Sequence, residues 1–432
     1  MIRFYKNGKE FFEDNQKIIE ENSLETSFFK LNSKFINSFN RRNYCFKVQK
    51  EASYLLVMRL DDFSLLLFGD KKLMKIAVDV ICDYHLYFYG VLASKDLVEE
   101  FFTYLIKRRG GSSFIRHKMD MMYLEELKVS PTMNVVNATD EDYDKIVEFN
   151  LIFSKEVLGE EPYKPYILSK VKEELLSYYL LKVDNEIVSC AKITREDEKN
   201  AAISAVYTLP IHRNKGYSRE VVSYISKLIL DKGKIPYLYV DKENPISNHL
   251  YTKIGFKYGK SKYDVAYKHG NVDTLILAGG CFWCMAEPFY SIDGVQKVIS
   301  GYCGGDELFP TYEMVKDHKT GHRESILIEY DNTKLSNKSL IETYFKHIDP
   351  FDDSGQFIDR GFNYTCAIFS DKDSTYYYYD KIIDRLKKES NKPIYVDFLN
   401  EQVFFKAEEY HQDYAIKNPT EMEEELKKSG RK

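Results

Sequence analysis

Two cysteines lie three positions apart behind a pair of glycines: residues 279–289 read Gly-Gly-Cys-Phe-Trp-Cys-Met-Ala-Glu-Pro-Phe. The apolar residues 275–278 predict a strand leading in, and 282–290 predict a helix leading out. A cysteine at a helix start meets unpaired N–H groups and the positive end of the helix dipole. Both lower a thiol pKa, and the thiolate is the nucleophile. The glycines allow a tight turn and a close approach of substrate to the backbone. Phe282 and Trp283, the latter the one tryptophan of the chain, can wall an apolar pocket for a small aliphatic group.

A second stretch with chemical promise is Arg213-Asn214-Lys215-Gly216-Tyr217-Ser218. It leads from a predicted strand into a predicted helix. Converging N–H groups, basic side chains and the dipole make such a turn an anion site. Alone, Arg-x-x-Gly-x-Ser is also what a plain loop looks like. A third grouping is thiol-based. Cys281, Cys284, Cys303 and Cys366 could ligate zinc or an iron–sulfur cluster, but no second Cys-x-x-Cys accompanies the first. Lys107-Arg-Arg-Gly-Gly-Ser112 reads as a solvated turn after a helix.

These residues need elements to hold them. In residues 1–131, positions 9–21 carry a helical stripe, 54–58 and 63–68 read as paired strands turning at Asp61-Asp62, and 97–107 reads as a helix stopped by Gly110-Gly111. Residues 117–124 read as a further strand. In 132–268, 178–183 and 187–194 form a hairpin signal around Asp184-Asn185-Glu186, and 201–207 is a strand. Helices follow at 217–231 and 246–254, with a strand at 235–240 between them. Lys268-His269-Gly270-Asn271 reads as a polar linker into the last domain, 273–432. Residues 421–432 form a charged tail without an apolar stripe, expected to fray.

Composition sets the outer limits. With 432 residues, length suggests about three domains. The 62 basic and 67 acidic residues give a net charge of −5, which argues against a nucleic-acid binder. No run approaches the ~18 apolar residues of a membrane span, and the N-terminus lacks the apolar core of a signal peptide. Seven cysteines are an odd count that does not read as a disulfide framework, so a reducing, cytoplasmic setting is expected.

Gly280-Cys-Phe-Trp-Cys284 with Glu287 and Phe289 resembles the active-site signature of the A-type peptide methionine sulfoxide reductases. Further blocks follow in order: Gly301-Tyr-Cys-Gly-Gly305, Thr311-Tyr-Glu-Met-Val315, Thr320-Gly-His-Arg-Glu324, Asp349-Pro350 with Gln356, Asp359, Gly361 and Tyr364, then Ala407-Glu-Glu-Tyr-His-Gln412 with Asn418-Pro419. The resemblance implies that Cys281 attacks the sulfur of (S)-methionine sulfoxide, free or in oxidised peptides and proteins. It implies Glu324 as general acid, Tyr312 and Tyr364 on the sulfoxide oxygen, Asp359 as supporting carboxylate, and Phe282 and Trp283 around the S-methyl group. A cysteine sulfenic acid forms, a second thiol converts it to a disulfide, and thioredoxin reduces that. No metal and no tightly bound cofactor is implied here. Family members often carry resolving cysteines near the C-terminus, whereas none follows Cys366. The partner is then Cys284, Cys303, Cys366 or an external thiol; Cys284 is favoured, with Cys303 next, in a glycine-rich loop expected near the site. Thr365 stands where the family often has Arg, and Ile348-Asp349 where it has His-Asp.

Residues 134–266 resemble the GNAT acetyltransferases. That match implies acetyl-CoA as cofactor. The backbone of 213–218 would cradle its pyrophosphate, with Ser218 in place of the usual Gly or Ala. Asn244 and Asn248 would lie on the cofactor arm, and Tyr251 would protonate the departing thiolate. No acetyl acceptor can be read. Residues 1–131 look like the degenerate half of a paired GNAT protein. The expected fold class is α+β: two GNAT-like mixed α/β domains (1–131 and 132–268) followed by a reductase-type α+β domain (273–432). The expected function is bifunctional, sulfoxide reduction with N-acetyl transfer. The alternatives are a non-catalytic CoA-binding module on the reductase, or a metal-binding redox sensor.

Overall fold

The computed structural model describes residues 1–61, 63–158 and 163–429. Twelve strands within residues 1–268 form one sheet: β1 (Ile2–Phe4), β2 (Tyr44–Lys50), β3 (Ser53–Arg59), β4 (Leu65–Gly69), β5 (Gly90–Ala93), β6 (Ser112–Tyr123), β7 (Val135–Asn137), β8 (Tyr178–Val183), β9 (Glu186–Thr194), β10 (Asn200–Thr208), β11 (Ile235–Asp241) and β12 (Lys257–Lys268). The accompanying helices are α1 (Gly8–Glu21), α2 (Ser27–Asn32), α3 (Met74–Asp83), α4 (Lys95–Arg109), α5 (Tyr143–Phe153), α6 (Lys164–Glu174), α7 (Tyr217–Asp231) and α8 (Pro245–Ile254). The hairpin between β8 and β9 turns on Asp184 and Asn185, both at positive φ, the backbone that matches strand twist in a two-residue turn. Helix α7 buries Val221, Val222, Ile225 and Ile229 at helical spacing. Asp62, half of the expected turn at Asp61-Asp62, lies outside the described residues.

Across the sheet the order is β1-β2-β3-β4-β5-β12-β6-β11-β10-β9-β8-β7. Each half contributes six strands, and each sends its last strand into the other half. Strands β4 and β5 run parallel, Leu65 opposite Val91, as do β10 and β11, Ala201 opposite Pro236. Parallel neighbours need a crossover connection, and α3 and α7 supply one each. The steps β5–β12, β12–β6 and β6–β11 are all antiparallel. The carboxyl ends of the two parallel pairs therefore point to opposite edges of the sheet. The boundary expected at 131/132 falls inside this continuous sheet.

The second sheet begins at β13 (Val272–Ala278). It continues through β14 (Val295–Cys303), β15 (Arg323–Asp331), β18 (Cys366–Phe369), β19 (Val396–Leu399) and β20 (Phe405–Lys406), ordered β19-β18-β13-β15-β14-β20. A small ribbon pairs β16 (Gly355–Gln356) with β17 (Asp359–Arg360). Around them lie α9 (Phe282–Tyr290), α10 (Tyr312–Lys316), α11 (Asn337–Lys346), α12 (Asp373–Glu389), α13 (Tyr414–Lys417) and α14 (Pro419–Lys428). Strand alternation sorts the cores. Leu275 and Leu277 pack with Phe282, Met285 and Phe289 of α9, while Ile276 and Ala278 face the other side with Cys303 and Phe404.

Two sequence expectations need correction. Residues 268–271 are not a free linker: Gly270 lies so close to the 109–111 turn that a Cβ there would sit 2.1 Å from the Gly111 nitrogen. The C-terminal segment is not a frayed tail either. Met422 and Leu426, four apart on α14, are buried against Cys284; residues 430–432 lie outside the described residues. The two sheets are also docked. Phe309 packs on Phe4 and Phe39, each at 5.2 Å between ring centroids. Buried Glu329 of β15 accepts hydrogen bonds from Arg108 at 3.1 Å and Arg109 at 3.4 Å. Among the described residues no helix is long and apolar enough to cross a membrane.

Candidate active site

Strand β13 delivers the chain into Gly279-Gly280, with Gly280 at φ +95°, and Cys281 becomes the N-cap of α9. Gly279 is required by crowding, since a Cβ would stand 2.8 Å from Ile348. The first two N–H groups of the turn do not serve the thiol. The Cys281 N–H donates to Asp359 Oδ2 at 3.3 Å, and the Phe282 N–H donates to Glu324 Oε2 at 3.0 Å. The expectation of a lowered thiol pKa is therefore corrected. A hydrogen bond with Cys284, burial, and the Glu324 and Asp359 carboxyls hold the Cys281 thiol well above its ordinary value.

Glu324 sits on β15 and is 2% exposed. Burial pushes its carboxyl up to about 8, aided by Asp359 and Cys284 and opposed by the Phe282 N–H and the Tyr364 hydroxyl. A buried carboxyl of this kind keeps its proton at neutral pH. Tyr312 opens α10, and its N–H donates to Glu408 Oε1 at 3.0 Å. The other Glu408 oxygen accepts from the Tyr302 hydroxyl at 2.9 Å. Burial first, and then Glu324 and Cys281, push the Tyr312 phenol up to about 12. Tyr364 is raised further by the same groups. Both phenols thus remain protonated donors. Cys281, Phe282, Trp283, Tyr312, Glu324, Asp359 and Tyr364 line one cavity of about 140 Å³. The expected reductase residues are brought together, apart from one thiol.

That thiol is Cys303. It ends β14, fully buried, on the sheet face opposite α9, whereas its neighbour Tyr302 faces Phe282 at 5.9 Å. One residue along a strand reverses the face, so proximity in sequence to the glycine-rich loop misled. Cys284 is 6% exposed, one turn along α9, and hydrogen-bonded to Cys281. Cys366 lies on the α9 side of the sheet within the core. No group of three or more His, Cys, Asp or Glu able to hold a metal occurs among the described residues.

The second candidate site lies where β10 meets α7. A bulge between Ser204 and Tyr207, with Ala205 at φ +49°, interrupts the pairing of β10 with β9, and the pairing of β10 with β11 runs only from Asn200 to Ala202. Gly216, at φ +82°, is the N-cap of α7 and offers no side chain to its first N–H groups, so these remain open to an anion. Arg213, Asn214 and Lys215 are exposed, while Gly216, Tyr217 and Ser218 are half-buried. The Arg213 guanidinium turns back to Glu156 at 2.6 Å and to the Thr208 carbonyl at 3.1 Å. Asn244 caps α8 by accepting from the Ser247 N–H at 3.1 Å, and the Asn248 amide donates to the Asp241 and Asn244 carbonyls. Tyr251 is 7% exposed within the core, and burial pushes its phenol well up. The structure thus brings the loop together and keeps Tyr251 inside.

Residues 273–432 match the family described as peptide methionine sulfoxide reductase, and residues 185–265 match the FR47-like proteins. A peptide methionine sulfoxide reductase of Leuconostoc mesenteroides is 43% identical over 150 residues, covering 34% of this chain and 88% of that protein. The chain belongs to the peptide methionine sulfoxide reductase family. A second relative, from Staphylococcus aureus, is 42% identical over 166 residues, covering 36% of this chain and 89% of its own. Among solved structures, methionine sulfoxide reductase A of Corynebacterium diphtheriae is similar over 35% of this chain and 77% of its own, at 23% identity and a TM-score of 0.32. An acetyltransferase from the GNAT family of Colwellia psychrerythraea covers 62% of this chain and all of its own, at 11% identity and a TM-score of 0.41.

Around the reductase cavity stand residues that sequence reasoning left without a role. Tyr414 stacks on Trp283 at 3.9 Å and 11° between planes. His411 is 1% exposed, 4.5 Å from the Tyr312 ring, and burial keeps it below its usual pKa. Met422 and Glu425 of α14 close the cavity. The i, i+4 spacing of Met422 and Leu426 was the available signal for the helix; nothing in the sequence marks Tyr414 as the stacking partner.

Proposed function

We propose that the chain reduces (S)-methionine sulfoxide, free or in peptides, with Cys281 as nucleophile. The observation that carries this reading is the buried Glu324 carboxyl sharing a 140 Å³ cavity with the Cys281 thiol; burial raises its pKa. Cys281 sulfur bonds to the sulfoxide sulfur while Glu324 protonates the oxygen, with the Tyr312 and Tyr364 hydroxyls donating to it. The thiol proton returns to Glu324. The oxygen then migrates with its proton to the Cys281 sulfur, giving a sulfenic acid and releasing the thioether. The balance is thiol plus sulfoxide to sulfenic acid plus thioether. Cys284 attacks the sulfenic sulfur, expelling water and leaving a Cys281–Cys284 disulfide. A dithiol protein of the thioredoxin class reduces that disulfide. None of the seven cysteines is in a disulfide, and the setting proposed is the reducing one of the cytoplasm. With thioredoxin, its reductase and NADPH, the protein is expected to consume NADPH on adding (S)-methionine sulfoxide, and C281S to abolish this; an unchanged rate in C281S would sink the assignment.

A second reading is favoured by the FR47-like match and the open N-cap at Gly216. Residues 213–218 fit an acyl-CoA pyrophosphate: the left-handed glycine leaves the α7 N–H groups uncovered, and Lys215 and Arg219 lie beside them. Acetyl-CoA would supply an activated acyl thioester. The chain's own contribution is to orient the diphosphate on the α7 N-terminus. G216E places a carboxylate there and is expected to abolish acetyl-CoA binding in calorimetric titration while leaving sulfoxide turnover intact. Equal binding in that variant rejects the loop.

A further inference from the structure

The first half carries a cleft of its own, of about 600 Å³, at the carboxyl ends of the parallel strands β4 and β5. Such crevices, where parallel strands part, are where open α/β sheets bind ligands. It opens toward the sheet edge opposite the β10–α7 loop, so it is not the far end of that site. Its anion position is already filled. The Asp70 carboxylate accepts from the Lys72 N–H at 2.9 Å, capping the turn that leads into α3, and from the Ser53 hydroxyl at 2.8 Å. In the second half the corresponding N-cap, Gly216, has no side-chain acceptor. A phosphate would meet N–H groups in one half and a carboxylate in the other.

The back wall of the cleft is β12, the strand received from the second half. Lys262 on it is 9% exposed. Its ammonium donates to the Glu25 carbonyl oxygen at 2.7 Å and lies 5.3 Å from the centre of the Phe28 ring. The Glu25 carboxylate is engaged elsewhere, with Lys260 at 2.9 Å. Lys262 therefore has no carboxylate partner among the described residues, unlike buried Arg109, which has Glu329 at 3.4 Å. Burial pulls the Lys262 ammonium down to about 8, with Arg195 adding to the effect and Glu25 opposing it. A buried cation without a counter-ion is costly, and an incoming anion removes that cost. Elsewhere on the lining stand two carboxylates that no cation pairs among the described residues, Asp70 and Asp96, the latter accepting from the Ser94 hydroxyl at 2.6 Å. Leu67, Phe68 and Leu97 supply apolar wall.

We propose that this cleft binds a small zwitterion of the free amino-acid class, with its carboxylate on Lys262, its ammonium toward Asp70 and Asp96, and an apolar side chain against Leu67 and Leu97. The chemistry is complementary in both signs, and the ligand supplies the carboxylate partner that Lys262 lacks among the described residues. It assigns a ligand to the half whose sequence looks like the degenerate half of a paired GNAT protein.

Calorimetric titration of the full chain with each common L-amino acid tests this. At least one with an apolar side chain is expected to bind with one-to-one stoichiometry. Its decarboxylated amine and its deaminated acid should each bind at least about tenfold more weakly, the worth of one hydrogen bond to a charged group. K262M and D96N should weaken binding by at least the same factor, with sulfoxide turnover retained as the sign of an intact fold. The proposal is overturned if no amino acid binds, if the amine or the acid alone binds as tightly, or if either variant that keeps turnover keeps full affinity. Methionine held in the reductase cavity instead would show itself as binding indifferent to K262M.

Discussion

Replacing Glu324 by glutamine removes one proton from the proposed mechanism and leaves most of the site's geometry. The amide keeps an oxygen for the Phe282 N–H, which now donates to Oε2 at 3.0 Å. The carboxyl's rise from 4.5 to about 8 corresponds to roughly 5 kcal/mol of preference for the protonated form. About nine-tenths of the sites then hold the proton at pH 7 and about one-tenth at pH 9, so the parent's single-turnover rate should fall roughly tenfold between them. Stability changes in the same window. The native chain keeps this proton from about 4.5 up to about 8, whereas the unfolded chain has released it. The unfolded state binds fewer protons, so the group's contribution to stability falls as pH rises through that window. E324Q should lose this decline in urea unfolding between pH 5 and 8. Its rate should drop about 10²–10⁴-fold, the usual worth of a positioned acid, with no further fall toward pH 9. The assay is rapid quench with enzyme in excess over (S)-methionine sulfoxide, with methionine quantified by chromatography. A variant within about threefold of the parent, or a parental rate that climbs from pH 7 to 9, refutes the assignment of Glu324 as acid.

Two further outcomes are expected. M422A leaves a gap beneath α14 where Met422 is 2% exposed, at a cost of about 2–5 kcal/mol, enough to release the helix from Cys284; alkylation of Cys284 by iodoacetamide should speed up, and an unchanged rate would mean that α14 does not guard that thiol. C284S should still give one methionine per chain in a single turnover but fail to recycle with thioredoxin, and mass spectrometry of the parent after one turnover should find the Cys281–Cys284 disulfide; continued turnover of the variant would point to a different resolving thiol.

How far the sequence could be read depended on whether the cause was local. Helices α7 and α9 stand at the expected bounds because apolar spacing and flanking glycines act within a few residues. The cavity beside Cys281 was legible as a set of residues, since the blocks that supply them follow one another in order. Its electrostatics were not. A helix start lowers a thiol pKa only if its N–H groups are free to act, and here Asp359 and Glu324 take them from 78 and 42 residues away. Cys303 failed for a smaller reason, a single step of strand alternation that turns it from the Tyr302 side of β14. The exchange of β6 and β12 was beyond reach, because a strand's side-chain period states which face is buried and is silent about its neighbour.

That exchange has a consequence during synthesis. Strand β6 is complete at Tyr123, but both its neighbours, β11 and β12, begin only at Ile235 and Lys257. At about 5–20 residues per second, β6 waits roughly 5–20 s with both edges bare, an invitation to wrong pairing. A chain ending at 131 would leave β6 without either of its neighbours. Of the strands in this sheet, the one bearing Lys262 comes last in the chain, and its place is between β5 and β6.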